Sequence, residues 1–327
     1  MWALGLFPCM TLLAAASPLF QDSGEAQDEP QANEKEEEKL LPERPPIQTE
    51  GTLPIEWANA HTWRSIGPAN MGGRITDITV HSGDASEVWL ATATGGVVHT
   101  TNGGTTYEHQ FQNQRVSSVG AIAVAPSDPS VVWLGTGEAN PRNSCSWGDG
   151  VYVSTDSGAT WRHAGLEESF QISTVVVHPD DPNTVYVGAL GRLWGPNDQR
   201  GLYKTTDGGF TWERLLFVDE DTGVVEVKMH PTEPDTIAVA TYERRRDMFD
   251  TNDPAVKWGD GSAIWITTDG GANFQKASAG LPTGTLGRIG MSWSVQNPDH
   301  VYAVVETDKI TRTGPTSSTG TANAADR

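Results

Sequence analysis

One eight-residue pattern recurs along this chain and constrains its fold more than any other feature. Thr205-Thr206-Asp207-Gly208-Gly209-Phe210-Thr211-Trp212 has a close copy at Ser154 to Trp161. Two degraded copies run from Thr100 to Tyr107 and from Thr267 to Phe274. The pattern is S/T-x-D-x-G-x-T-W, and successive Asp positions lie 54, 51 and 62 residues apart, with Asn102 standing for Asp in the first copy. A period of that length marks a propeller or a solenoid. An Asp side chain bonds backbone N–H groups just ahead of it, and Gly adopts the backbone angles that such a turn needs. Apolar-alternating stretches flank each copy, so each reads as a hairpin turn whose final aromatic starts the second strand. Asn102, Asp156, Asp207 and Asp269 are therefore expected to be structural staples of turns. One active site would not need four of them.

The chain between the turns supplies the rest of each unit. The first unit contains ITDITV from Ile75, EVWLAT from Glu87 and GVVHT from Gly96, with a short run after Thr106. Comparable sets follow in three more units, and a fifth stops after RIGMSW (from Arg288) and VYAVV (from Val301). Four-stranded units of about 50 residues are propeller blades. The expected fold is all-β: a propeller of four-stranded blades, about four and a half present, so an incomplete ring. The blades span about 70–112, 116–166, 170–218, 222–280 and 286–307. Such a ring has unpaired edges that invite pairing. The missing blades are expected from further chain or from an oligomer. Trp63-Arg64-Ser65-Ile66 could add one outer strand without closing the ring.

Outside the blades the composition changes. Residues 1–16 read as a signal peptide, because Trp2 to Phe20 is apolar and ends near Ala14-Ala15-Ala16, although no Lys or Arg precedes the run. Residues 17–55 form an expected disordered acidic linker, and 308–327 a disordered polar tail. The partial propeller occupies 56–307. The formal net charge is −20, of which residues 22–50 contribute −7, which disfavours a nucleic-acid partner. After signal cleavage no membrane span is expected, and the protein is placed outside the cell or in the periplasm. Cys9 falls in the signal segment, which leaves Cys145 without a disulfide partner. His81, His178 and His230 hold equivalent places ahead of a repeated turn, on different blades, so they are not expected to share a metal. No cofactor or metal motif is present.

The turns, the D/N-P-x-x-V-Y/W strands and the phrase Ser65-Ile66-Gly67-Pro68…Gly72-Gly73-Arg74-Ile75 together resemble the BNR/Asp-box repeat propellers grouped with the sortilin (Vps10) N-terminal domain. Similar blades occur in xyloglucanase-type glycoside hydrolases and in photosystem II assembly factors. The resemblance covers Trp57 to about Thr307 and is specific for fold, not for activity. The chain has Trp63-Arg64-Ser65-Ile66-Gly67-Pro68 and no F-R-I-P, which disfavours a sialidase. It also lacks the cysteine-rich module that follows the sortilin propeller.

Topology then directs the search for a site. With strands A to D in each blade, the A–B and C–D turns share one face and the B–C and D–A loops share the other. The repeated turns are C–D turns, so function is sought among the opposite loops. Binding candidates are Arg74, Arg142, Trp147, Arg192, Trp194, Trp258 and Arg288. An aromatic face stacks a sugar ring and charged groups bond its hydroxyls. Arg74 and Arg288 open strand A in blades one and five, where they face the central channel. Catalytic candidates are Glu138, Asp149, Asp198, Glu243, Asp247 and Asp260, because glycoside cleavage needs two carboxylates flanking the bond. Arg244-Arg245-Arg246 is expected to be a solvated loop run. The leading expectation is an exported module that binds protein or polysaccharide without catalysis. The alternative is a xyloglucanase-like glycoside hydrolase using a loop carboxylate pair, and an assembly factor is a third possibility.

Overall fold

The computed structural model describes residues 73–309, apart from 141, 143 and 247–253. The signal and linker segments expected at 1–16 and 17–55 lie outside the described residues, as do Trp63, Asp247 and the tail beyond residue 309.

Strand follows strand in one repeated order. The first sheet comprises β1 (Ile75–Val80), β2 (Val88–Thr92), β3 (Val97–Thr100) and β4 (Glu108–Gln110). The second comprises β5 (Val119–Val124), β6 (Val132–Thr136), β7 (Val151–Ser154) and β8 (Arg162–His163). The third has β9 (Ile172–Val177), β10 (Val185–Ala189), β11 (Gly201–Thr205) and β12 (Glu213–Leu216). The fourth has β13 (Thr222–Met229), β14 (Ile237–Glu243), β15 (Ala263–Thr267) and β16 (Gln275–Lys276). A two-stranded sheet, β17 (Leu286–Trp293) and β18 (Val301–Thr307), ends the series. All pairs are antiparallel and join neighbours in sequence. This is the expected propeller: four complete blades and half of a fifth.

The first strands of successive blades, β1, β5, β9, β13 and β17, touch one another in order. Strands β6 and β10 lie in the middle of their sheets and are buried along their full length. Their sequences, VWLGT and VYVGA, are accordingly apolar throughout rather than alternating, because both faces meet another blade. The largest shared cluster lies between blades two and three, where Trp133, Val151, Val153 and Ala164 pack with Val185 and Val187.

The octapeptide pattern is explained by its hydrogen bonds. In the third copy the Thr205 hydroxyl donates to Asp207 at 2.8 Å and accepts from Gly209 N at 3.0 Å. Asp207 also accepts from Thr211 N at 3.0 Å and from the Thr211 hydroxyl at 2.6 Å. Asp156 bonds Thr160 in the same way, and Asp269 bonds Asn273. Asn102 accepts only one such backbone bond, from Thr106 N at 2.9 Å, and its amide nitrogen donates to the Thr106 hydroxyl. Gly209 has φ +81°, and a Cβ there would lie 2.9 Å from the Ala164 Cβ and 3.1 Å from Trp133. Glycine is thus required both for the turn and for close approach of the neighbouring blade.

The three equivalent histidines also have a local task. His81 Nδ1 accepts from Gly83 N and Asp84 N, both at 2.9 Å. His178 Nδ1 accepts from Asp180 N, and His230 Nδ1 from Thr232 N and Glu233 N. Each ring therefore folds the A–B turn behind it. Among the described residues, no group of three or more His, Cys, Asp or Glu side chains is placed to hold a metal ion.

Two outcomes are expected. Trp133→Ala removes an indole that is 1% exposed and bonded to Pro182 O at 3.0 Å. It should cost about 3–5 kcal/mol in urea unfolding. The hydroxyl and amide donors around Asp207 and Asp269 hold both carboxyls below the ordinary value of 3.8, that of Asp269 at about 2. A carboxyl depressed on folding contributes stability above its unfolded value and loses it as pH falls through the folded one. Thermal melts should therefore show a stability loss between about pH 4 and pH 2. That loss should shrink when Asp207 and Asp269 are both replaced by Asn.

Candidate functional site

The loops opposite the repeated turns are built around one buried carboxylate. Gly137, at φ +86°, turns the chain out of β6. Glu138 follows, with its side chain fully buried. Both Glu138 oxygens accept from Arg74 of the first blade, at 2.8 Å from Nε and 2.6 Å from Nη2. Arg74 therefore makes a bidentate ion pair across two blades, and this bond raises the Arg74 pKa. The backbone N–H of Glu138 is itself held by the Ser118 hydroxyl at 3.0 Å.

The next residue carries the second blade to the far side of the fold. Ala139 is buried with Leu190, Val225, Leu286 and Ile289, which belong to blades three, four and five. Arg288 Nη1 donates to Ala139 O at 3.5 Å, and burial lowers the Arg288 pKa. The second-blade loop thus engages Arg74 of blade one through Glu138 and Arg288 of blade five through Ala139. Cys145 is buried in the same loop, bonded to Asn140 O at 2.6 Å, and burial pushes its thiol pKa up. The Arg142 side chain donates to the neighbouring Ser144 hydroxyl.

The expectation of a solvated Arg244–Arg246 run needs correction. Arg244 is 1% exposed and Arg246 is 3% exposed. Only Arg245 reaches solvent, paired with Asp221 at 2.8 Å. Arg244 Nη2 bonds Gln171 Oε1 at 2.8 Å, and burial, then the nearby Arg200, push its pKa down to about 9. Arg200, also fully buried, donates to the carbonyls of Leu190, Arg192 and Gly195. These guanidinium groups shape loops from within, because a carbonyl-rich loop gives a planar donor several acceptors at once.

Two patches on this face combine exposed aromatic rings with charge. In the first, Trp147 is 58% exposed and meets Phe170 edge-on at 5.8 Å. Arg192 lies over the Phe170 ring, 4.8 Å from its centre. Phe170 has φ 55° and ψ −45°, a costly backbone state for a bulky side chain. It ends a one-turn 3-10 helix at Glu167–Ser169 that opens on Leu166, also at positive φ. Phe170 O accepts from Gly148 N at 2.8 Å, so the strained turn is locked to the Trp147 loop. Asp149 lies close in sequence, but one of its oxygens accepts from the Tyr152 hydroxyl at 2.9 Å. Trp194 is half-buried and Asp198 is exposed, bonded to Gln199.

In the second patch, Trp258 is 36% exposed, with Lys257 Nζ 4.9 Å from its ring centre. Gly259 N donates to Leu286 O at 3.0 Å, which joins this loop to the start of β17. A Cβ on Gly259 would lie 2.1 Å from a Glu243 oxygen. A Cβ on the adjoining Gly287 would lie 2.8 Å from a Glu306 oxygen and 3.0 Å from Trp258 Cδ1. Two carboxylates therefore lie against the two bridged segments beside Trp258. Asp260 is exposed, and its carbonyl is held by Lys276. Sequence reasoning named Trp258 and Glu243 but missed Glu306 and Phe170. Glu306 lies in an unremarkable strand, and Phe170 in a turn with no glycine to signal its backbone.

Comparison with known proteins gives these loops a context. The family described as "Sortilin, neurotensin receptor 3" matches residues 149–309. A xyloglucanase of Paenibacillus sp is 23% identical over 252 residues, which cover 71% of this chain and 23% of the relative. An oligoxyloglucan-reducing end-specific xyloglucanase of Emericella nidulans is 32% identical over 114 residues, or 33% of this chain and 14% of that protein. The chain thus spans less than a quarter of the length of these relatives. Among solved structures, the GH74 xyloglucanase from Xanthomonas campestris superposes with a TM-score of 0.52 at 19% identity. That match covers 70% of this chain and 34% of the other. An ancestral GH74 enzyme gives 0.50 at 20% identity, covering 64% and 26%. These structural likenesses support the propeller fold. The curated relatives overturn the expectation of a module without catalysis, since they are glycan-cleaving enzymes by name.

The central ion pair can be tested first. Arg74→Ala leaves Glu138 buried and unpaired, and should destabilise the fold by about 2 kcal/mol, less than for a fully buried pair because Arg74 is partly exposed. Adding Glu138→Gln should recover most of that loss in urea melts.

Proposed function

We propose that this chain, a propeller of the sortilin- and xyloglucanase-like kind, acts as a glycoside hydrolase on a xyloglucan-type polysaccharide, with its loop face as the substrate surface. The observation that carries this reading is the agreement of the curated relatives on xyloglucanase. The second patch supplies chemistry that fits it. Trp258 presents a flat apolar face to a pyranose ring. Glu243 and Glu306 supply the two carboxyl groups that glycoside cleavage requires, one protonating the leaving oxygen and the other serving as nucleophile or as base toward water. The Trp147–Phe170–Arg192 patch extends the same face toward blades two and three, as a long polymer needs. A polysaccharide substrate fits the export expected from the apolar N-terminal run.

The test is release of reducing ends from xyloglucan by the purified chain. We expect hydrolysis, and Glu243→Gln or Glu306→Gln should each lower kcat by about 10²-fold or more, the scale of a lost acid or base. Trp258→Ala should act mainly on KM. Absence of reducing-end release by the wild-type chain, or full activity in both Gln variants, would sink this assignment.

A further inference from the structure

A charge buried in a protein is normally met by an opposite charge. Arg74 answers Glu138, and Arg245 answers Asp221. Arg244 departs from this rule. It is 1% exposed, and among the described residues no carboxylate lies within ion-pair distance of it. Its charged neighbours Arg200 and Arg246 are themselves cations. Tyr242 and Cys145, which also act on it, are kept protonated by their own burial. Even with its pKa lowered to about 9 by burial, Arg244 carries its charge at neutral pH.

Donors around this group outnumber acceptors. Arg244 Nη2 donates to Gln171 Oε1 at 2.8 Å and to Arg192 O at 3.4 Å. Its Nε and Nη1 carry three of the five guanidinium N–H groups. Both atoms are buried and meet no acceptor among the described residues. Gln171 is fully buried, and its Nε2 amide is likewise without an acceptor. The bond from Nη2 to Oε1 holds these unsatisfied groups side by side. Arg200 brings a second cation to the same point, since its Nη2 also donates to Arg192 O, at 3.1 Å. Two guanidinium groups thus share one neutral carbonyl. Arg200 is otherwise provided for by the carbonyls of Leu190 and Gly195, with Asn197 Oδ1 near its Nε. Asp221 and Asp219 act on Arg200 as counter-charges. One positive charge, that of Arg244, is left to be balanced.

These facts select the kind of ligand. A water molecule brings two hydrogens that need acceptors of their own, and Arg192 O is already engaged twice. A small anion accepts from several N–H groups at once, adds no hydrogen and cancels the charge. A substrate carboxylate cannot reach groups as deeply buried as Arg244 and Gln171. Gln171 leads into β9 directly after Phe170, Arg192 follows β10, and Arg244 follows β14. The site therefore joins the loops of blades three and four, next to the Phe170–Arg192 pair.

We propose that Arg244 and Gln171 bind a small monovalent inorganic anion, a halide, as a structural counter-ion between blades three and four. Arg244 Nε or Nη1 and Gln171 Nε2 donate to it, and Arg200 adds to the positive field. The anion does for Arg244 what Arg74 does for Glu138.

Melting temperatures of the full chain are to be compared in potassium chloride and potassium gluconate at equal ionic strength, gluconate being too large for a buried site. Chloride should raise the melting temperature saturably, by about 3–6 °C at a tenfold excess over its dissociation constant. Gln171→Glu places a fixed carboxylate beside Arg244. That variant should melt in gluconate at or above the temperature of the wild-type chain in chloride, and its chloride response should vanish. Crystals grown in bromide should give an anomalous peak within hydrogen-bond reach of Arg244 Nε or Nη1. Equal melting of the wild-type chain in the two salts overturns the proposal. So does a chloride response of wild-type size in Gln171→Glu, or a bromide map with no peak at Arg244. None of these readouts uses catalysis, so their outcome is separate from that of the hydrolase assignment.

Discussion

Glu138 sits where water cannot reach it, and the centre of the molecule is arranged to make that tolerable. A carboxylate buried alone would cost several kcal/mol. Arg74 removes that cost with a two-pronged bond, and Ser118 and Ser146 hold the backbone N–H beside it. The consequence is geometric. Because Glu138 must face blade one, the residue after it must turn toward the axis, and Ala139 lands among the inner strands of blades three to five. One ion pair thus ties blade one to the loop that reaches blades three to five.

Away from the axis the logic is serial. Each blade contributes a hairpin stapled by Asp, Ser or Thr and glycine, and an aromatic that leans on its predecessor. Neither device depends on the far side of the fold, so sequence drift in one copy is absorbed locally. Asn102 in place of Asp still accepts from Thr106 N, at the cost of the second carboxylate oxygen. Tyr107, the aromatic of that first copy, is half exposed because no described blade precedes it. Energetics of this kind are nearest-neighbour sums, as in other repeat proteins.

What the sequence disclosed follows from that serial logic. The turns, the strand order and the half-finished fifth blade were legible because they rest on residues close together in the chain. The capping histidines were readable as equivalent positions, and the structure adds that each ring accepts from its own turn. The loop face was much less legible. Arg244 looked solvated because three consecutive arginines usually are, yet Gln171, far away in sequence, gives it a buried partner. Glu306 and Phe170 matter only through neighbours brought near by blade stacking. A binding module and a hydrolase look alike at the level of single residues, so the choice came from relatives rather than from motifs.

The bond between the second-blade loop and the fifth blade has a consequence for synthesis. Ala139 and Arg288, which it joins, are 149 residues apart. At typical translation rates the loop must wait roughly 10 to 30 s before its last partner emerges. Blades one and two can dock during that interval, since Arg74 is already available to Glu138. Ala139 stays without part of its final cover, Leu286 and Ile289, until the fifth blade arrives. The contact between blades two and five is therefore a late one, and a nascent chain stalled before Arg288 would leave the Ala139 carbonyl without that donor.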